Sequence, residues 1–126
     1  MDVFKILKRN KFCVLATCKN NKPEAATMFY FFRDNYLFFA TSKLSRKYKN
    51  LKVNKQVAIV IGFSGKRPSL QIDGIADFVS TKLEKEFILS EIKKINPKYV
   101  NYYKGPETIF FKVKPLEYWY NGEKIM

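Results

Sequence analysis

At 126 residues, 47% of them hydrophobic and 17% aromatic, the chain is long enough for one folded domain with a core that needs no metal or disulfide, and its composition excludes disorder. Lys and Arg number 24 against 11 acidic residues, and the resulting charge of +13 is spread along the chain rather than gathered in a tail, so it coats a surface or meets an anionic partner. Histidine is absent, which removes the commonest general base and excludes a His-dependent triad or a His-ligated haem, so any redox chemistry would fall to a bound organic cofactor.

Asp2 reads as an N-cap before Val3, Phe4 and Leu7, which predicts a short amphipathic helix over Asp2 to Lys8. Phe12 to Thr17 is a strand of buried type. Cys13 and Cys18 are five apart in what reads as one continuous strand, an odd spacing that points them to opposite faces and predicts two reduced thiols. Lys19 to Pro23 turns the chain into a second strand over Glu24 to Phe32, and Arg33-Asp34-Asn35 turns it back into Tyr36 to Thr41. These three strands read as an antiparallel meander. A basic helix follows, with Leu44, Tyr48 and Leu51 on its apolar side, and then a strand over Gln56 to Ile61. Phe63 to Pro68 reads as a loop. Ser69 to Ser80 reads as a long strand with a bulge or bend at Gly74.

Thr81-Lys82-Leu83-Glu84 is a capping box that opens a helix carrying Leu83, Phe87, Ile88, Ile92 and Ile95, closed by Asn96-Pro97. Lys98 to Tyr103 is a Tyr-rich helical turn. Thr108 to Val113 and Glu117 to Tyr120 read as two closing strands separated by Pro115. Six or seven short antiparallel strands, one short basic helix and one longer late helix make a mainly β (α+β) fold, closed or partly closed as a barrel. No apolar run reaches the ~20 residues of a membrane span, and MDVFKILKRN lacks a signal-peptide core, so a soluble cytoplasmic protein is expected.

The stretch from Leu37 to Val60 carries the chemistry. Thr41, Ser42 and Ser45 bear hydroxyls where the basic helix begins, and Arg46 and Lys47 follow at once. A helix start presents free N–H groups and the positive end of the helix dipole, so these residues form a candidate phosphate pocket. Ser42 serves equally well as an N-cap.

Phe39-Ala40-Thr41-Ser42, Ser45-Arg46-Lys47, Asn50-Leu51 and Val57-Ala58 together resemble the pyridoxamine 5′-phosphate oxidase-like family of FMN-binding split barrels. Ser69 to Ala76 and Val113 to Trp119 extend the likeness over nearly the whole chain. The resemblance implies a homodimer with FMN at the subunit interface and an oxidoreductase exchanging electrons with a small-molecule donor or acceptor. It assigns the flavin phosphate to Ser42, Ser45 and Lys47, with Thr41 and Arg46 beside them. It lays the flavin ring along Thr27, Met28, Phe29 and Tyr30, largely against backbone, and brings Gln71 and Trp119 to the ring edge, Gln71 from the partner subunit. Tyr30 is a candidate hydrogen-bond donor near the ring, and no catalytic acid or base stands out. The name-giving oxidase holds pyridoxal phosphate with a C-terminal motif bearing Arg and His, whereas this chain has Tyr118-Trp119-Tyr120-Asn121-Gly122 there, which points away from that activity. Deazaflavin is a variant of the same reading. A non-catalytic flavin store and a nucleic-acid-binding barrel using Lys43 to Lys52 are the rival classes.

Overall fold

Asn and Asp residues set the tight turns of the sheet. Asn20 and Asn21 (φ 53° and 61°) join the first two strands, and Asp34 and Asn35 (φ 53° and 65°) join the next two, as residues that tolerate the left-handed region. The protein is described here from a computed structural model covering residues 2–62, 65 and 69–126. The loop expected over Phe63 to Pro68, Gly65 apart, lies outside the described residues.

The order is α1 (Val3–Arg9), β1 (Phe12–Lys19), β2 (Lys22–Phe29), β3 (Phe31–Arg33), β4 (Tyr36–Ser42), α2 (Arg46–Val53), β5 (Gln56–Ile61), β6 (Leu70–Phe78), α3 (Lys82–Ile95), a 3₁₀ turn (Pro97–Tyr102), β7 (Thr108–Tyr120) and β8 (Glu123–Lys124). All strand pairs are antiparallel, in the order β2-β1-β5-β6-β7-β4-β3, with β8 added to β7. The sheet curls so that its two ends are consecutive in sequence, and the fold is a split barrel.

That closure corrects the expected meander. The second strand breaks at Tyr30: β2 pairs with β1 at one end of the sheet, and β3 pairs with β4 at the other. Tyr30 is fully buried at the crossing, its N–H donating to the Lys11 carbonyl (2.9 Å) and its hydroxyl to the Leu7 carbonyl (2.8 Å). A ladder partner is replaced by a side-chain plug tying α1 to the barrel. Tyr30→Phe keeps the shape and leaves that carbonyl unpaired, so it should cost about 1–2 kcal/mol in denaturant unfolding.

Two cores flank the sheet. Leu15, Leu37, Phe39, Ile59, Ile72, Phe111 and Val113 fill the barrel, while Phe31, Phe38, Ala40 and Phe110 meet Ile88 and Ile92 of α3 outside it. Strand β4 is covered on both sides, which is why Leu37-Phe38-Phe39-Ala40 shows no alternation. Helix α3 is capped by Thr81, whose hydroxyl accepts from the Glu84 N–H (3.2 Å), but the Glu84 carboxylate pairs with Lys112 (2.9 Å) instead of completing the box. Leu83, expected in the core, is 80% exposed in the first turn of α3, and Leu44 precedes α2 and is 70% exposed.

The two closing strands are one. Pro115 lies inside β7 opposite Gly74, and the register jumps there from Asp73↔Glu117 to Gly74↔Pro115, leaving Leu116 as the extra residue of a bulge. The irregularity foreseen at Gly74 exists, and it absorbs the missing proline N–H without ending the strand.

Candidate functional site

The chain leaves β4 at Ser42 and enters α2 at Arg46, and four hydroxyl contacts shape that junction. Ser45 is the N-cap of α2: its Oγ accepts from the Tyr48 N–H (3.2 Å) and donates to the Ser42 carbonyl (2.8 Å). Thr41 Oγ1 donates to the same Ser45 oxygen (3.3 Å). Ser42 Oγ accepts from the Leu44 N–H (3.0 Å), which leaves its own hydroxyl proton free to donate. Ser45 therefore shapes the junction, while Ser42 has the disposable donor. Arg46 and Lys47 occupy the first two helical positions, where the N–H groups point off the helix end. Burial, and then Arg46, hold the Lys47 ammonium below the ordinary lysine value. Two adjacent cations on a helix start make a site that gains from an anion.

Two cavities run along β2 from this junction. One, of about 200 Å³, is lined by Arg46 and Lys47 with Glu24, Ala25 and Ala26. The other, of about 400 Å³, is bounded by Thr27, Met28 and Phe29, by Thr41 and Ser42, and by Tyr103, Gly105 and Glu107. Strand β2 ends the sheet on its side, so alternate backbone N–H and C=O groups along it face away from β1. Small residues at Ala25, Ala26 and Thr27 let a flat ligand approach them.

The far wall was not foreseen. Tyr99 packs edge-on against Phe29, ring centroids 4.9 Å apart, and this fixes the 3₁₀ turn beside β2. Tyr103 then closes the larger cavity, and burial raises its phenol above the usual tyrosine value, keeping it a neutral donor. The cluster of tyrosines after Pro97 was its only trace in the sequence.

Of the residues assigned from sequence, Thr27, Met28, Phe29, Thr41 and Ser42 share the larger cavity, and Arg46 and Lys47 share the smaller. The Met28 side chain is buried in the barrel and leaves only its backbone to the cavity. Tyr30 lines neither of these cavities, and its hydroxyl and N–H are both spent inside the fold. Gln71 and Trp119 pair with each other on the outer face of β6 and β7. The ladder Thr27–Val14–Val60–Gln71 sets Gln71 roughly 14 Å from Thr27 across three strand spacings, so neither residue reaches the cavity within one chain.

The sequence profile of the pyridoxamine 5′-phosphate oxidase family matches residues 2–122. The chain belongs to this family. No curated protein matches the sequence. Among solved structures, a pyridoxamine 5′-phosphate oxidase-type protein of Listeria innocua superimposes with a TM-score of 0.79 at 22% identity, over 96% of each chain. The haem storage protein HutZ of Vibrio cholerae gives 0.79 at 18% identity, over 90% of this chain and 87% of its own. A FAD-binding protein of Mesorhizobium loti gives 0.75 at 16% identity, over 94% and 92%. At such identities these neighbours share the fold, and their differing ligands leave the cofactor to be argued from the residues of this chain. Among the described residues, no helix is long and apolar enough to cross a membrane.

The two thiols differ as their strand positions require. Cys13 is buried in the barrel, and desolvation pushes its pKa up to about 12, while Cys18 is half-buried on the outer face. A thiol reagent should therefore reach Cys13 only on unfolding, read by mass spectrometry.

Proposed function

We propose that this chain is an FMN-binding oxidoreductase. The observation that carries the reading is the alignment of two cavities along one free strand edge. The smaller, with Lys47, Arg46 and the start of α2, suits a phosphate; the larger, about 400 Å³ in volume, has the size of a ligand pocket. Lys47 and the first N–H groups of α2 would hold the phosphate from the smaller cavity, and the Ser42 hydroxyl would meet it from the larger. The backbone of Thr27 to Phe29 would face the ring, and Tyr103 would shield it from water. When bound, the flavin supplies hydride exchange at its N5. The absence of histidine weighs against haem, because its commonest axial ligand is missing. It also weighs, with the C-terminal sequence, against pyridoxamine 5′-phosphate as the substrate.

The outer face of β1, β5 and β6 supports a homodimer. Among the described residues no helix covers it, and Val14, Ala16, Ala58, Val60, Ile75 and Leu116 make it largely apolar around Asp73 and a cavity of about 540 Å³. A second copy docked there would also give Gln71 and Trp119 their role at the partner's flavin. Sedimentation should then show twice the 14.9 kDa of one chain.

The visible spectrum of the purified protein, followed by FMN titration of the apo form, tests the reading. Saturable binding with flavin fluorescence quenching is expected. A colourless protein that takes up no FMN overturns it. Reduction of the bound flavin by a nicotinamide cofactor would separate an enzyme from a flavin store.

A further inference from the structure

A carboxylate lies inside the cationic cavity. Glu24, on β2, extends beneath the start of α2, where Asn50 Nδ2 donates to its Oε1 (2.9 Å) and also to Thr17 Oγ1 (3.0 Å). Asn50 is buried, so this amide pins the carboxylate in place. The other oxygen, Oε2, is shielded from solvent and lies against the Arg46 guanidinium in an ion pair without a hydrogen bond of good geometry. Glu24, Arg46 and Lys47 line the same 200 Å³. The Arg46 side chain is 72% exposed, and Glu24 is its one acidic partner among the described residues. The Asn50 hydrogen bond, and after it Arg46 and Lys22, hold the Glu24 acid below its usual value, so the carboxylate is charged wherever the protein is folded near neutrality.

We propose that Glu24 is an internal counter-anion that competes with the ligand's phosphate for Arg46. The inference rests on the reading of this junction as the phosphate site. A phosphate entering the cavity meets Lys47 and the helix start at full strength. It gains Arg46 only by taking the guanidinium from a carboxylate that Asn50 does not allow to leave. Glu24 thus sets the affinity below what two cations and a helix terminus would give, and keeps a phosphate-bearing flavin exchangeable. Had Glu24 instead served to aim Arg46 at the phosphate, removing its charge would weaken binding, so the two roles predict opposite signs.

The test is a double-mutant cycle in the full chain over Glu24→Gln and Arg46→Ala, with inorganic phosphate, FMN and riboflavin as probes. Gln keeps an oxygen acceptor for Asn50 and removes the charge. E24Q should bind inorganic phosphate and FMN about tenfold more tightly, with riboflavin unchanged. R46A should change phosphate affinity little on its own and erase the gain in the E24Q background. Weaker phosphate binding in E24Q, an equal effect of R46A in both backgrounds, or no phosphate binding by any variant overturns the proposal. Glu24→Ala removes the same charge and should give the same sign, so failure of one variant to fold leaves the other as the test. Should the phosphate cycle hold while no variant binds FMN or riboflavin, the flavin reading falls and the role of Glu24 stands.

Discussion

Replacing Lys47 with alanine should weaken FMN binding roughly thirtyfold, about 2 kcal/mol, while riboflavin affinity stays the same. The contrast follows from where Lys47 sits. It lies in the second helical position of α2 and lines only the smaller cavity, with no share in the larger one along Thr27 to Phe29. Its loss removes a cation from the phosphate end and nothing from the ring end. Lys47→Arg keeps the charge and should recover most of the affinity. The same substitution to alanine should leave thermal stability unchanged or slightly raised, because burial beside Arg46 already disfavours the Lys47 charge. Sites that hold like charges together for a ligand are less stable without it. Parallel fluorescence titrations and melting curves read both halves. Equal losses for FMN and riboflavin would show that Lys47 acts on the fold or on the ring, and the phosphate assignment would fail.

What was legible in the sequence was what short stretches decide. The Asn20-Asn21 and Asp34-Asn35 turns, the Thr81 cap and the β4–α2 junction each involve residues within a few positions of one another, and their chemistry is written locally. The errors lie where distant segments decide. Nothing near Tyr30 announces that the strand must cross from one end of the sheet to the other, because the partners that fix it lie far earlier in the chain, Leu7 on α1 and Lys11 in the link to β1. Leu83 and Leu44 have helical spacing, yet each sits at a helix start that no neighbour covers. The site divides the same way. Its cations and hydroxyls were readable, and its carboxylate was not, since Asn50 and Glu24 are 26 positions apart and meet only when α2 packs over the β1–β2 hairpin. Tyr103 likewise reaches the cavity through a turn whose placement depends on Tyr99 finding Phe29.

Gly74→Ala should cost about 3 kcal/mol and lower the melting temperature by roughly 10 °C. Alanine in place of glycine usually stabilises a strand, by reducing the freedom of the unfolded chain and by adding a packing atom. Here the added Cβ would stand 2.6 Å from Val113 Cγ1 and 3.0 Å from the Lys114 carbonyl oxygen. Both belong to β7 at the point where its register jumps past Leu116. The bulge brings the β7 backbone over position 74 too closely for any side chain, so the need for glycine is steric rather than a matter of φ. Val113 is fully buried among the barrel residues and cannot swing aside, and the carbonyl can move only if the β6–β7 pairing opens. That pairing also carries Gln71 and Trp119 on the outer face, so G74A should weaken the proposed self-association along with stability. Val113→Ala removes the nearer obstacle at the cost of a cavity. In the double variant the two losses should sum to at least 1 kcal/mol less than their separate values, because the new methyl fills the space the valine vacates. Strict additivity in chemical denaturation would mean that the Lys114 carbonyl, and not the valine, sets the limit at this position.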